Sequence, residues 1–445
     1  MKKLLLLAIM WSGITVFAAK YSWEINTGGK AVFQKNEKIT FSCQLLKDGK
    51  AAIGDQVSFE IRGDNNIHKK GNFKISETPW TYETSLDFSG WLFIRFSAFD
   101  SEGKKILHDV KSRGKMVTRQ LSDGIGVLVE PEKLQPPMPE PADFDAFWAA
   151  KRAELDKVPV KAVRVPFSPK GGKYFNCWDI KVDCAGGRPV SGYLCIPKGA
   201  KPKSLPVAVR FHGAGVRSAN AVLYYRGLIV LDVNAHGIAN GRDAAFYSDL
   251  QKKDLNNYHA RNKLDRNKGY FVGMYMRVMR ALDYVKTLPE WDGKTLIVFG
   301  GSQGGAQSLA AAALDKDVTH CIAGVPALCD HGGVLAERSA GWPQFVSWFR
   351  IGKMTAEDRA VLPEVAYVDC AYMARRIKAK TYIGTGFMDY VCAPTSVFAA
   401  YNNIPAGTEK DIVTTPDKAH NAPNTKGMKW LADFSAQVFK SQGKE

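Results

Sequence analysis

The chain has 445 residues, 45% of them hydrophobic and 24% charged, which excludes a disordered or fibrous protein and leaves room for two or three domains. Its formal charge is +17, yet the lysines and arginines are spread along the whole length and form no dense block. That excess reads as a solvated basic surface, suited at most to an acidic polysaccharide. Eight cysteines contain no Cys-x-x-Cys pair, which argues against a zinc site; buried thiols are expected, with no connectivity legible.

Residues 1–19, MKKLLLLAIMWSGITVFAA, combine two lysines, an apolar stretch and small residues at the end. They predict a secretory signal cleaved near Ala18 or Ala19. No later segment is apolar for long enough to span a bilayer, so the mature chain is expected to be soluble and exported, periplasmic or extracellular. Nucleic acid does not suit an exported protein of this kind.

From residue 20 to 129 the pattern alternates and is rich in aromatics, as in KITFSCQLL, QVSFEIRG, WTYETSLDF and GWLFIRFSAFD. Short strands with turn residues between them and no helical period predict an all-β sandwich. Trp80 and Trp91 are candidates for a sugar-stacking platform, although core packing is the commoner use of such residues. Residues 130–141, EPEKLQPPMPEP, predict an extended proline-rich linker. A second domain, 142–445, then opens with an amphipathic helix. Its Phe144, Phe147, Trp148 and Leu155 share a face, and Asp143 stands where a cap belongs.

Beyond this helix, YFNCWDIKVDC and VSGYLCIPKG read as an antiparallel pair, and strands then alternate with helices to the end of the chain. That alternation predicts a mostly parallel sheet covered on both faces. Its centre is TLIVFGGSQGGAQSLAAAA: an apolar strand, a tight turn and a helix of small residues. The turn fits Gly-x-Ser-x-Gly, which holds a serine hydroxyl above the sheet at a strand-to-helix turn. A phosphate-binding loop is the competing reading, but the stretch lacks the Gly-Lys-Ser/Thr ending. The fold class is therefore α/β, an α/β-hydrolase preceded by an all-β sandwich.

In that fold an acid and a histidine follow the serine, each just past a later strand. Asp389 follows GTGFM and His420 follows TTPDKA, whereas Asp330, Asp369, His320 and His331 fall too early. Ser302, Asp389 and His420 are the expected catalytic residues. The amides of Gln303 and Ala214, the latter in RFHGAG, are the expected oxyanion donors. His212 and His236 are candidates for the substrate pocket, each weighed against a structural role. No metal or other cofactor is implied.

With these residues placed, the chain resembles the acetyl xylan esterase and cephalosporin C deacetylase group, carbohydrate esterase family 7. The resemblance rests on PADFDAFW, on FHG at 211–213, on YFVGMYMRVMRALDYVKTLPEWDG, on GGSQGG at 300–305, on GFMDYVCAPTS and on His420. It leaves the first domain uncovered. Ser302, Asp389 and His420 fall on that family's triad. Asn234, Ala235 and His236 stand where the family pattern has Arg-Gly-Gln, Ala214 where it has tyrosine, and Asn421 where it has Glu.

The resemblance implies a serine esterase that removes acyl groups, above all acetyl, from polysaccharides or oligosaccharides such as acetylated xylan. Related esterases form oligomers, so a homo-oligomer is compatible with the chain. Two other readings of the elbow are a serine peptidase of the prolyl oligopeptidase type and an esterase for larger sugar esters. A reading of another class is a non-catalytic carbohydrate-binding protein.

Overall fold

The computed structural model describes residues 20–112 and 115–443. The signal segment expected at 1–19 lies outside them. The N-terminal part is a sandwich of two sheets. One is four-stranded and contains Tyr21–Asn26, Ile39–Lys47, Lys50–Ala51 and Trp80–Thr84. The other runs Val32–Phe33, Ser122–Val129, Gly90–Phe99, Gln56–Gly63, His68–Lys74. Alternate residues such as Phe41, Cys43, Val57, Ile61, Ile94 and Phe96 fill the space between the sheets.

The strand Gly90–Phe99 departs from strict alternation, because its first half is buried on both faces. Leu92, Ile94 and Phe96 point into the sandwich, while Trp91 and Phe93 point outward into a second cluster with Leu128, Leu134, Phe387, Met388 and Phe398. The Trp91 indole donates to the carbonyl of Phe387. Trp91 therefore joins the two domains and presents no face to a sugar. Trp80 is half-buried and stacks on Phe73, ring centroids 4.6 Å apart.

The proline-rich segment is held along its length and is no free spacer. Pro131–Lys133 forms a short turn of 3-10 helix. Asn402 donates to the carbonyls of Pro131 and Leu134 at 2.8 and 2.9 Å, and the Tyr372 hydroxyl donates to Met138 at 2.6 Å. The helix Phe144–Asp156 follows, with Phe144, Phe147, Trp148 and Leu155 on its buried face. Asp143 stands at the cap position but caps nothing: its carboxylate accepts the Tyr367 hydroxyl instead of a helix amide.

A nine-stranded sheet forms the second domain. Its strands in chain order are β1 (Ala162–Phe167), β2 (Phe175–Val182), β3 (Val190–Pro197), β4 (Leu205–Phe211), β5 (Ile229–Val233), β6 (Trp291–Gly301), β7 (His320–Gly324), β8 (Lys380–Gly386) and β9 (Lys410–Thr415). Their spatial order is β1-β2-β3-β5-β4-β6-β7-β8-β9. The pairings from β1 to β3 and of β3 with β5 are antiparallel, and the rest are parallel. This is an α/β-hydrolase sheet. The strands β3, β4 and β5 are almost continuously buried, as a sheet covered on both faces requires.

The main core packs helices Phe144–Asp156, Tyr270–Lys286 and Gln303–Leu314 on one face; Trp430, Leu431 and Phe434 of the closing helix Thr425–Ser441 cover the other. All eight cysteines are free thiols. Cys177 and Cys195 lie directly opposite on β2 and β3, with sulfurs 2.7 Å apart. Among the described residues, no helix is long and apolar enough to cross a membrane.

Candidate active site

Ser302 sits between β6 and the helix Gln303–Leu314 with φ 58° and ψ −124°, a conformation that strains any residue with a side chain. The surroundings hold it there. Its amide donates to Gly324 O at 2.8 Å, and its carbonyl accepts from Ala306 and Ala327 at 3.1 Å each. The flanking glycines are required by space: a Cβ on Gly300 would lie 2.7 Å from the Gly304 carbonyl carbon, and one on Gly304 2.8 Å from that of Phe211. Without them the turn could not cross the end of β4.

Asp389 follows β8 and His420 follows β9, and the loops bring both to the serine. His420 Nε2 is 2.9 Å from Ser302 Oγ, and its Nδ1 is 2.8 Å from Asp389 Oδ2. Asp389 is fully buried, and its other oxygen accepts from the amides of Val391 and Cys392 at 2.9 and 3.0 Å. With a carboxylate at Nδ1, the ring proton resides there, and Nε2 is left bare to accept the serine proton.

The segments that carry the two predicted oxyanion donors both adjoin Ser302. Gln303 is the first residue of its helix, so its amide has no intrahelical acceptor. The loop after β4 lies over the nucleophile: a Cβ on Gly213 would meet Ser302 Cβ at 3.6 Å, and Ala214 follows, half-buried.

His212 and His236 are placed behind that loop, not on its open side. Both are buried, 2% and 0% exposed, so neither ring is free to touch a substrate. His212 Nδ1 donates to Gly213 O at 2.7 Å while Nε2 accepts from the Ala235 amide at 3.2 Å. His236 Nε2 donates to Gly215 O at 3.2 Å, and Nδ1 accepts the Tyr270 hydroxyl at 2.6 Å. Burial pulls their pKa values down to about 4 and about 3, so both rings are neutral near pH 7. Asn234 completes the brace: it accepts from the His236 amide and donates to Arg217 O and Asn240 Oδ1, each at 3.0 Å. The segment standing where the family pattern has Arg-Gly-Gln thus works as a buried clamp on the 212–215 loop.

Three aromatic residues at the site were not among the expected site residues, although Tyr270 opens the segment YFVGMYMRVMRALDYVKTLPEWDG. The Tyr258 hydroxyl donates to Gln303 Oε1 at 2.7 Å, Tyr270 holds His236, and the Trp342 ring lies 6.3 Å from that of Tyr258. Among the described residues Gln303 Nε2 has no partner, and Tyr258 is the one side chain that anchors that amide. Tyr258→Phe removes one hydrogen bond, worth about 1 kcal/mol. It is expected to lower kcat about fivefold with KM unchanged, read from initial rates on an aryl acetate.

The rival acids and histidines have other work. Asp330 pairs with Arg338 at 2.8 Å, and Asp369 accepts the amides of Asp330, His331 and Ala371. His320 stacks on Trp430. His331 is fully buried beside Phe345, neither ring nitrogen has a partner among the described residues, and burial pulls its pKa to about 3. Between pH 6.5 and about 3 the unfolded chain binds a proton at His331 that the folded chain refuses, so stability is lost as pH falls through that window. His331→Phe is expected to reduce the slope of unfolding free energy against pH there by about 1.4 kcal/mol per pH unit, measured by denaturant titration at several pH values. Among the described residues, no group of three or more His, Cys, Asp or Glu side chains is placed to hold a metal ion.

The family model for acetyl xylan esterase (AXE1) matches residues 127–436. The chain belongs to the acetyl xylan esterase family. Within it, the chain is 35% identical over 317 residues to the acetyl esterase Axe7A of Xylanibacter ruminicola, covering 69% of this chain and 70% of that protein. Among solved structures it is similar to the acetyl xylan esterase from Paenibacillus sp. R4, at 27% identity and a TM-score of 0.59, over 69% of this chain and 98% of that one. Acetyl xylan esterase 1 from Thermoanaerobacterium sp. JW/SL YS485 is similar to the same degree, at 26% identity and a TM-score of 0.58, over 68% and 97%. As a member of this acetyl xylan esterase family, the protein is a carboxylic ester hydrolase of the acetyl esterase type. The family match leaves residues 20–126, nearly the whole sandwich, outside it.

Proposed function

We propose that the protein removes acetyl groups from xylan-type polysaccharides or their oligosaccharides through an acetyl-enzyme formed on Ser302, and that it does so after export. The observation that carries this reading is the unbroken line of hydrogen bonds from Asp389 through His420 to Ser302 Oγ. Ser302 Oγ attacks the acetyl carbonyl carbon, and its proton passes to His420 Nε2. The oxygen that gains charge accepts from the amides of Gln303 and Ala214, each donor worth about 3 kcal/mol. The imidazolium, steadied by Asp389, returns the proton to the sugar oxygen as the ester bond breaks. Water then attacks the acetyl-serine, giving its proton to His420; acetate leaves, and Ser302 recovers its hydroxyl.

The test is acetate release from acetylated xylan and from a small aryl acetate by the same preparation. Release from both supports the proposal. Cleavage of the aryl ester with xylan untouched would keep the serine mechanism and remove the polysaccharide, and cleavage of neither would remove both. Export is checked separately by the N-terminus of the protein recovered from outside the cytoplasm, expected near residue 19 or 20.

A further inference from the structure

Away from the serine, on the far side of Tyr270, lies a cleft of about 480 Å³. Its walls come from the loop between β2 and β3, the helices Phe144–Asp156 and Tyr270–Lys286, and the loop before the second of these. Five cations line it, Lys151, Arg188, Arg261, Lys268 and Arg277, against two carboxylates, Glu154 and Asp254. Four of the five have an acidic partner. Lys151 pairs with Glu154 at 2.8 Å, Arg188 and Arg261 share Asp254, and Lys268 lies 3.4 Å from Asp265.

Arg277 is the exception. It is 3% exposed and makes no ion pair among the described residues. One Nη donates to the carbonyl of Ala235 at 3.0 Å, and Nε has no partner among the described residues. A guanidinium taken out of water in this way is normally matched by an anion, because its desolvation is otherwise uncompensated. The Tyr270 ring lies on one side of the group, its centroid 5.8 Å away, and on the cleft side Gly273 adds no side chain: a Cβ there would come within 3.8 Å of the other Nη. Glycine at 273 leaves that Nη without a covering side chain on the cleft side, and Arg277 is among the residues that line the cleft. Its planar donor fork suits the two oxygens of a carboxylate or phosphate group, and the volume falls in the range of pockets for small organic ligands.

We propose that this cleft is an oxyanion-binding site in which Arg277 takes the carboxylate or phosphate group of a sugar-sized ligand, with Arg261 and Lys268 at its rim. The site is separate from the triad, and its binding does not depend on the ester that the triad cleaves. Arg277 holds Ala235, whose amide holds His212, so an occupied cleft also bears on the clamp behind the 212–215 loop.

The experiment is calorimetric titration of the full chain with sodium glucuronate, with inorganic phosphate and with glucose, at constant ionic strength in chloride. Saturable binding of glucuronate or phosphate, with none of glucose, is expected. Glucuronate alone identifies a sugar acid, and phosphate alone a phosphate ester. Arg277→Met, checked for folding by circular dichroism, is expected to abolish binding. The double variant Arg261→Ala/Lys268→Ala, whose side chains are on the surface, is expected to weaken it at least threefold and carries the test should Arg277→Met not fold. Failure of both anions to bind wild type, or unchanged affinity in the variants, overturns the proposal.

Discussion

Ser302→Ala is expected to lower turnover of an aryl acetate by about 10⁵- to 10⁶-fold, leaving a small residue of catalysis from the oxyanion donors and binding. The size follows from the geometry. Oγ donates to His420 Nε2 at 2.9 Å, and among the described residues no other hydroxyl donates to that nitrogen. Stability is expected to stay within about 0.5 kcal/mol, since alanine keeps the Cβ and the backbone bonds of the turn. Ser302→Gly loses the same activity but also relieves the positive φ, and is expected to gain about 1 kcal/mol in unfolding free energy. Steady-state rates with thermal melts on the three proteins decide both points. Wild-type turnover by either variant would remove Ser302 from the mechanism.

Gly126→Val is the second large effect, and it lies in the sandwich, far along the chain from the serine. Gly126 is on the strand Ser122–Val129, wedged between the two loops that carry the acid and the histidine. Its amide donates to Pro416 O at 2.9 Å, and a Cβ there would lie 2.8 Å from the Cβ of Phe387 and closer still to its carbonyl. Neither neighbour can yield cheaply, because Phe387 is buried among Trp91, Phe93 and Leu128. The added side chain must push the Asp389 loop. Overpacking of this kind costs about 1 to 3 kcal/mol of stability, and displacement of a catalytic group by about 1 Å costs roughly a hundredfold in rate. A hundredfold fall in kcat is therefore expected, together with slower labelling of Ser302 by a fluorophosphonate, in protein that circular dichroism shows to be folded. Gly407→Ala, where a Cβ meets nothing within 4 Å, is the control and is expected to behave as wild type.

The parts of the fold legible in the sequence are those fixed by local pattern. The elbow announces itself because glycine at 300 and 304 is demanded by backbone contact, and the order of later strands then leaves few places for an acid and a histidine. The antiparallel pairing of β2 and β3 was readable from the two adjacent strand-like runs. The edge strand β1 was not, since AVRVPF is short, exposed and interrupted by a proline. The run CIAGVPALCD ends as a strand at Gly324, because Val325, Leu328 and Asp330 all take positive φ.

Long-range placement was the harder part. Nothing local shows that Asn234 and His236 turn inward to brace the oxyanion loop, or that a tyrosine 45 residues upstream reaches Gln303. Asp143 has the residue type of a cap, yet its carboxylate accepts a tyrosine hydroxyl from 224 residues further along the chain. The proline-rich stretch has the composition of a spacer, but composition is silent about Asn402 and Tyr372, which hold it down.

The docking of Trp91 and Phe93 on Phe387 has a consequence for autonomy. Phe387, Met388 and Phe398 are buried under the sandwich cluster, and the Phe387 carbonyl is satisfied by an indole from the other domain. A chain cut so as to keep only the portion that matches the family would turn this cluster outward as an oily patch beside the acid loop. Such a fragment is expected to clump or stick to itself, so the two domains of this esterase are one unit of solubility.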